Sequence, residues 1–345
     1  MRTPRKPPGG RPTLNDVAAL ASVSAVTASR TLRHPDIVSP RLRARVEAAV
    51  RELAYVPNQL ASALASSRTG RVAVIVPSLT NGVFDDYLRA LHDAFVPASV
   101  EILVLSSNYL PGREEKAIAT ALGQYPEAVI LAGIDQTRHA RRLLREAAIP
   151  IVQTMEIAET PIDINIGLSH ADAGYAAARH LFELGHRKVG HLMAPRDSRA
   201  RKRAEGYARA AREFGVEPIV AAVDEPSSFA IGAKLFAEMM QRQPETTAIF
   251  CGNDNLALGA LFECQRRGVD VPRDLSIMGY NDLEFSACAF PALSTIATPR
   301  YEMARRAAEI ILEIVRGSGE RPKTTQIDVG FRVVVRESTA KVRSA

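Results

Sequence analysis

The sequence is poor in cysteine and contains no long apolar run. Its three cysteines, Cys251, Cys264 and Cys288, are too few and too scattered for a disulfide framework or a metal site, which needs close Cys or His partners. No apolar run approaches the roughly 18 residues that cross a bilayer, and no apolar segment typical of a signal peptide follows the N-terminal positive charges. We therefore expect a cytoplasmic protein without a metal, a cofactor or a membrane contact.

Positive charge is concentrated at one end of the chain. Residues 1–70 contain 11 Lys or Arg and 4 Asp or Glu, a net charge of +7, whereas residues 71–345 contain 33 and 34, a net charge of −1. A basic segment joined to a nearly neutral body is typical of a protein in which one module faces a polyanion. Only residues 1–12, rich in proline and glycine, fit a disordered basic tail.

Residues 13–57 have the pattern of three short helices. Thr13 and Asp16 fit a capping box at the start of the first helix, and Ser24 is placed to cap the second. A third, amphipathic helix begins at Pro40. Two short helices joined by a tight turn form a helix-turn-helix, although small apolar helical hairpins with other roles are also common.

From Arg71 onwards, short apolar strands alternate with amphipathic helices. The strands include "RVAVIVPS", "TAIFCGND" and "LSIMGYND", and the helices include "DDYLRALHDAF" and "NLALGALFECQRRG". This alternation is typical of parallel sheets with crossover helices, which bind ligands at the carboxyl ends of their strands. No GxGxxG opens a helix after the first strand and no GxxxxGK[ST] occurs, so dinucleotide-binding and P-loop enzymes are disfavoured.

The stretch "TLNDVAALASVSAVTASRTL" resembles the DNA-reading headpiece of LacI/GalR family repressors, and "YVPNQLASALASSRTG" resembles their hinge helix. The resemblance runs from Thr13 to about Glu337. It implies an N-terminal all-α helix-turn-helix headpiece with a hinge helix, followed by an α/β body of two subdomains like the type I periplasmic binding proteins. The implied boundaries are 13–57 for the headpiece, 58–70 for the hinge helix and linker, 71–339 for the effector-binding and dimerisation domain, and 340–345 for a tail. Within the body, 71–168 with 298–327 form one subdomain and 169–297 with 328–339 form the other.

By this resemblance, the second helix enters the major groove of operator DNA. Arg30 can donate two hydrogen bonds to guanine, whereas Ala25 and Val26 offer only apolar contact to a base edge. The other positions that the resemblance assigns to DNA are Thr13, Leu14, Ser24, Thr27, Ser29, Ser39, Asn58, Leu64 and Ala65. Leu64 matches the leucine that wedges into the minor groove. Without the resemblance, Thr27 and Ser29 could equally be ordinary surface hydroxyls.

The resemblance also places an effector site in the cleft between the subdomains. The residues assigned to it are Ser78, Phe84, Arg203, Phe229, Asn253, Asn281 and Asp282. Simpler alternatives exist for most of them. The Asn and Asp side chains, including Asp254, could serve simply as helix caps. Arg203 could lie on a solvated basic face, and Phe229 could be a core residue.

Two other functions are compatible with an α/β body of this kind. An enzyme would need an activated nucleophile or an acid–base pair in the cleft. His170 and His186 are the best candidates, but both lie beside helix or strand boundaries and match structural positions of the family. A periplasmic sugar-binding protein would share the body but would need a signal peptide and no helix-turn-helix. We therefore expect a ligand-responsive transcriptional repressor that is not an enzyme and that binds a near-palindromic double-stranded operator.

Three segments indicate the effector. "VPSLTNGVFDDYLRAL", "AIFCGNDNLALGALFECQRRGVDVP" and "IATPRYEMARRAAEIIL" look most like the gluconate-utilisation (GntR-type) repressors of the family. This favours gluconate or a ketogluconate, with its carboxylate on Arg203 and its hydroxyls on Asn253, Asn281 and Asp282. A neutral sugar or a nucleoside or purine is the alternative, and Asp282 and Glu156 would oppose an anion unless they face hydroxyls.

The expected assembly is a homodimer. Two headpieces that read a near-palindrome require two-fold symmetry. Tetrameric relatives carry a leucine heptad at the carboxyl end, whereas this sequence ends at "VVVRESTAKVRSA".

Overall fold

The computed structural model describes residues 12–33, 35–56, 69–194, 197–317 and 319–343. The contacts within the chain divide it into two units, Met1–Thr69 and Gly70–Ala345. The N-terminal tail lies outside the described residues apart from Pro12, and so do the predicted hinge contacts Asn58, Leu64 and Ala65.

The described part of the first unit contains the three helices that the sequence predicts for residues 13–57. They are α1 (Leu14–Leu20), α2 (Ala25–Arg33) and α3 (Pro40–Leu53), with a 3-10 turn at Pro35–Ile37. The predicted capping box is confirmed, because the Thr13 backbone amide and hydroxyl donate to Asp16 at 2.8 and 2.7 Å and the Asp16 amide donates back to the hydroxyl at 3.4 Å. The Ser24 cap is also confirmed, since its hydroxyl accepts from the Thr27 amide at 3.1 Å.

A small core holds these helices together. Val17 and Ala21, at the end of α1, pack against Val46 and Ala49 of α3, and all four side chains are buried. The apolar positions at a spacing of three and four residues along α3 therefore face the other two helices, as the sequence predicts.

The second unit contains a six-stranded parallel sheet, with the strands in the order β11-β5-β4-β3-β1-β2. Its strands are β1 (Arg71–Val76), β2 (Glu101–Ser106), β3 (Ala128–Leu131), β4 (Ile151–Glu156), β5 (Ile164–Leu168) and β11 (Gln326–Asp328). Its helices are α4 (Asp85–Phe95), α5 (Pro111–Leu122), α6 (Arg138–Glu146) and α12 (Arg300–Arg316). Alternate residues of β1 face α4 with α12 on one side and α5 with α6 on the other, which explains why this strand reads as a continuous apolar run.

A second subdomain surrounds a four-stranded parallel sheet, in the order β7-β6-β8-β9. Its strands are β6 (Val189–Met193), β7 (Ile219–Ala222), β8 (Ala248–Cys251) and β9 (Ser276–Met278). Its helices are α7 (His170–Glu183), α8 (Ser198–Glu213), α9 (Phe229–Arg242), α10 (Asp254–Arg267) and α11 (Glu284–Cys288). Two further strands, β10 (Thr295–Ala297) and β12 (Arg332–Val334), pair antiparallel. The chain returns to the first sheet through α12 and β11.

Four strands do not stand out in the sequence. β10, β11 and β12 have three residues each, too few for a periodic pattern. In β5 the apolar run is interrupted by Asn165, which the fold nevertheless buries completely. Its amide group donates to the carbonyls of Gln153 and Glu156 and accepts from the amide of Ala158, so the interior polar group has its hydrogen bonds.

None of the helices in the described ranges is long and apolar enough to cross a membrane.

Candidate functional site

One face of α2 is exposed and contains the predicted base-reading positions. Val26 is 68% exposed and Arg30 is also exposed, whereas Ala28 and Thr31 on the other side of the helix are buried. Ala25 at the start of the helix is half-buried. An exposed arginine next to an exposed apolar side chain can read both a guanine edge and a thymine methyl group.

The hydroxyls expected to contact phosphates already have local partners. The Thr27 hydroxyl lies 2.8 Å from that of Ser24, and the Ser29 hydroxyl accepts from Nε of Arg33 at 3.1 Å. Ser29 therefore holds a second arginine on this surface. Leu14 is half-buried, and Ser39 precedes α3 without a side-chain capping bond.

A polar pocket of about 110 Å³ lies between the two subdomains of the body, at the carboxyl ends of the strands. Ser78 follows β1, and Met155 lies near the end of β4. Asn253 follows β8, and Asn281 follows β9. The polar and charged lining residues include Ser78, Asn81, Tyr109, His170, Asp197, Arg199, Arg203, Asn253, Asn281, Thr298 and Arg300, and Met155 also lines the pocket.

Four of the seven predicted effector contacts line this pocket, namely Ser78, Arg203, Asn253 and Asn281. The structure does not bring Phe84, Phe229 and Asp282 to it. Phe84 is 1% exposed and contacts the edge of Tyr87 within the core. Phe229 is half-exposed at the start of α9, where its ring meets those of Phe262 and Phe285. The Asp282 carboxylate pairs with Arg336 at 2.8 Å.

The described lining residues include three guanidinium groups and one carboxylate. Arg199, Arg203 and Arg300 are 8%, 9% and 4% exposed. Arg199 pairs with Asp197, with its Nε 2.9 Å from the carboxylate. Burial alone would raise the pKa of Asp197, but Arg199 and Arg203 lower it well below its usual range, so this carboxylate stays ionised. The described lining residues therefore carry two more positive than negative charges. The Asp86 carboxylate, which pairs with Arg300 at 3.3 Å from outside the lining, offsets one of them, and the remaining positive charge favours an anion.

Arg203 is held by an aromatic pair. Its Nη1 donates to Nδ1 of His170 at 3.1 Å, and its guanidinium lies over the Tyr280 ring, 4.6 Å from the centroid. The Tyr280 hydroxyl also donates to Nδ1, at 2.8 Å, and Nε2 of His170 donates to the carbonyl of Met155 at 3.1 Å. Burial and the charge of Arg203 keep the pKa of His170 well below its usual value, so the imidazole is neutral. Nε of Arg203 is buried and makes no hydrogen bond with the described part of the chain.

Arg300 fixes the loop that carries Asn281. Asn281 and Asp282 both have left-handed backbone angles, with φ of 119° and 57°, which are costly for residues other than glycine. Arg300 donates to the carbonyl oxygens of both residues and, through Nη2, to the Asp86 carboxylate at 3.3 Å. The guanidinium therefore stabilises this strained turn and links it to α4.

The capping alternative is confirmed for Asn253, although this residue also lines the pocket. Its side-chain oxygen accepts from the Leu256 amide at 3.0 Å, so its amide nitrogen is the group left to face the pocket. Asp254 is fully buried and accepts from the amide of Leu283 and from the hydroxyls of Ser286 and Thr295. Asp254 is thus a structural anchor for the loop after β9.

The comparisons with known proteins agree with this arrangement. Residues 13–58 match the family described as bacterial regulatory proteins, lacI family, and residues 178–339 match the periplasmic binding protein-like domain. The HTH-type transcriptional regulator GntR of Pseudomonas aeruginosa is 41% identical over 333 residues, 96% of each chain. The chain belongs to the LacI family. It is a DNA-binding transcriptional repressor of that family, and the relatives named here are transcriptional regulators.

Two solved structures extend the LacI family match to the fold. A LacI family regulator from Silicibacter pomeroyi is 35% identical with a TM-score of 0.88, and the match covers 94% of this chain and 98% of that one. The lac repressor dimer bound to operator and the anti-inducer ONPF is 26% identical with a TM-score of 0.80, and covers 96% and 100%. The predicted combination of a helix-turn-helix headpiece with a periplasmic-binding-protein-like body is therefore confirmed.

Several pocket residues of this LacI family chain were not recognised in the sequence. Arg199 lies four residues before the predicted Arg203, so both arginines lie on one face of α8. This spacing in "SRARKR" is the signal that identifies Arg199 as a second candidate. The sequence predicts a structural role for His170, and no local pattern marks Arg300 as a pocket residue. Within the described ranges, no group of three or more His, Cys, Asp or Glu could hold a metal ion.

Proposed function

We propose that this repressor responds to a sugar acid, with gluconate or a ketogluconate as the first choice, bound in the pocket between the two subdomains. The observation that carries this proposal is the excess of guanidinium groups over carboxylates among the lining residues. Taking a charge out of water is costly unless a partner meets it. A pocket with nearly buried arginines therefore favours a ligand that supplies the partner.

Arg203 is the arginine best placed for the ligand carboxylate. Arg199 already pairs with Asp197, and Arg300 already binds two carbonyls and Asp86. The hydrogen bonds of Arg203 go only to neutral groups in the described chain, and a guanidinium can bind a carboxylate through two parallel hydrogen bonds.

The acidic groups that would oppose an anion are themselves paired. Asp282 pairs with Arg336 at 2.8 Å, and Glu156 pairs with Lys202 at 3.2 Å. The side chains of Ser78, Asn253 and Asn281 supply hydroxyl and amide groups for the ligand hydroxyls. The effector would act on operator affinity by binding one arrangement of the two subdomains more tightly than the other.

The DNA-binding part of the proposal uses the exposed face of α2 in the headpiece 13–57, with the hinge at 58–70 and the effector-binding domain at 71–339. Arg30, Ala25 and Val26 would read base edges, and the hydroxyl residues would contact phosphates. A homodimer would present two such headpieces to a near-palindromic operator.

Calorimetry and operator binding test the effector together. The purified full chain is titrated with gluconate, 2-ketogluconate, glucose, ribose and adenosine. An operator found by selection is then followed by fluorescence anisotropy with each compound. The expected result is binding of the sugar acids and a change of operator affinity with them alone. Binding of neutral hexoses without gluconate would contradict the sugar-acid assignment.

A further inference from the structure

A second cavity of about 450 Å³ lies beside the effector pocket. Residues that follow β1, β2 and β3 line it together with the start of α8. Three side chains, those of Tyr109, Asp197 and Arg199, line both cavities. The two cavities therefore border each other at these residues, and we refer to the second one as the second chamber of the cleft.

The topology of the first sheet makes this second chamber a natural ligand site. β1 lies between β3 and β2. The connection after β1 runs through α4 to β2, whereas the connection after β3 runs through α6, on the other face of the sheet, to β4. Open α/β sheets bind ligands in the crevice at such a switch point, outside the carboxyl ends of the strands. The effector pocket uses the ends of β1, β4 and β5, whereas the second chamber occupies the crevice between β1 and β3.

The two chambers differ in charge. The described residues of the second chamber include three carboxylates, Glu114, Asp135 and Asp197, and two arginines, Arg199 and Arg201. Among its described lining residues, the effector pocket has one carboxylate and three arginines. An anionic group is therefore favoured in the pocket and disfavoured in the second chamber, where carboxylates can accept from hydroxyl groups.

Side chains in the second chamber are arranged for an uncharged polyol. Gln136 is 7% exposed, and its amide donates to Glu114 at 3.1 Å and accepts from Gln153 at 2.7 Å. Because its amide is already used by these protein groups, Gln136 positions Glu114 rather than a ligand. Tyr109 is fixed by a hydrogen bond from Asn81 at 3.1 Å. A fixed aromatic ring can stack on a sugar ring, and carboxylates can accept hydrogen bonds from sugar hydroxyls.

Two residues that line the second chamber form a contact between the subdomains. The backbone amide and the hydroxyl of Ser198, at the start of α8, both donate to the Asp135 carboxylate after β3, at 3.1 and 2.7 Å. A ligand group in the second chamber would therefore contact both subdomains. It would favour the same closed arrangement of the subdomains that a carboxylate bound in the effector pocket favours.

We propose that the full cleft accepts an aldobionic acid, that is, a sugar acid that carries a glycosyl group, with the carboxylate end in the effector pocket and the glycosyl ring in the second chamber. This inference rests on the proposed function. Gluconate would fill only the first chamber.

Calorimetry on the full chain tests the proposal with gluconate, maltobionate, cellobionate and maltose as probes. At least one aldobionate should bind about tenfold or more tightly than gluconate, the equivalent of one or two additional neutral hydrogen bonds. Maltose, which has no carboxylate, should bind more weakly than either acid.

A cavity-filling variant locates the glycosyl ring. Leu110 lines the second chamber and is 40% exposed, so Leu110→Trp should remove the advantage of the aldobionate and leave gluconate affinity within about twofold. Val220→Trp is the matched control, because Val220 is 41% exposed and lines a groove on the far edge strand β7.

The outcomes separate this inference from the proposed function. If gluconate binds but no aldobionate binds more tightly, the second chamber does not receive a glycosyl group. If the advantage of the aldobionate survives Leu110→Trp, the ring lies elsewhere and the inference is also wrong. If no sugar acid binds, the proposed function itself fails.

Discussion

Arg203→Ala is the substitution that tests the sugar-acid pocket most directly. Arg203 is 9% exposed, donates to His170 and lies over Tyr280. Alanine removes the guanidinium that would meet the ligand carboxylate. His170 keeps its hydrogen bonds to Tyr280 and to the Met155 carbonyl, so the fold should tolerate the change.

The expected loss follows from the hydrogen bonds removed. A hydrogen bond to a charged group contributes about 1.5–3 kcal/mol, and a bidentate pair contributes more than one bond but less than two independent ones. We expect a loss of about 2–4 kcal/mol in binding free energy, or roughly 30- to 700-fold in gluconate affinity. Arg203→Lys keeps the charge but loses the two parallel donors of the guanidinium. Its gluconate affinity should therefore lie between those of Arg203→Ala and the parent.

Calorimetry with gluconate measures the effect, and Arg209→Ala is the control. Arg209 lies on the same helix, but it is exposed and pairs with Asp172 at 2.7 Å. Its loss removes the same charge without touching the pocket, so affinity should change by less than about twofold. If Arg203→Ala bound gluconate as tightly as the parent, or if both variants lost affinity equally, the reasoning about Arg203 would be refuted.

Three further predictions concern the headpiece and the core. Arg30→Ala should weaken operator binding by about 1–3 kcal/mol and reduce the sequence specificity at one base position. Arg51→Ala, which removes an equal charge from α3, should weaken binding to all DNA sequences alike. Binding-site selection distinguishes the two results. Burial lowers the pKa of His191 to about 4, so below about pH 6.5 the unfolded chain takes up a proton at this residue and the folded chain does not. The free energy of unfolding should therefore fall by about 2 kcal/mol between pH 7.5 and pH 5 because of His191. Urea titrations should show a smaller fall for His191→Phe, and an unchanged fall would contradict the assignment. Asp254→Ala leaves three donors without their acceptor and should lower the free energy of unfolding by about 3 kcal/mol, compared with under about 1 kcal/mol for the exposed carboxylate in Glu146→Ala.

Local patterns in the sequence were sufficient for elements whose hydrogen bonds and apolar spacing are local. The segment "DDYLRALHDAF" coincides with α4, Asp85–Phe95, and the Thr13 capping box is present at α1. β5 was missed because its interior Asn165 is satisfied by backbone groups of other segments. No pattern within five residues contains that information.

The candidate site was only partly predictable for a related reason. The rule for parallel sheets identifies the edge at which a ligand binds, but not the direction in which each side chain points. Phe84 belongs to a 3-10 turn, Gly82–Phe84, and is buried in the core. Asp282 follows Asn281 in a strained turn and meets Arg336, a partner distant in sequence. Arg300 reaches the pocket because α12 returns to the first sheet.

Packing between α7 and α8 explains how Arg203 comes to face the pocket. A Cβ at Gly174 of α7 would lie 2.3 Å from the carbonyl oxygen of Arg203, and a Cβ at Gly206 of α8 would lie 2.0 Å from that of Ala171. Only glycine permits this close approach of the two helix backbones. Because the helices are so close, Arg203 reaches His170 at the start of α7, and His170 in turn binds the Met155 carbonyl of the first sheet. The arginine proposed to hold the effector is therefore connected by hydrogen bonds to both subdomains, and a carboxylate bound to it would act on the arrangement of both.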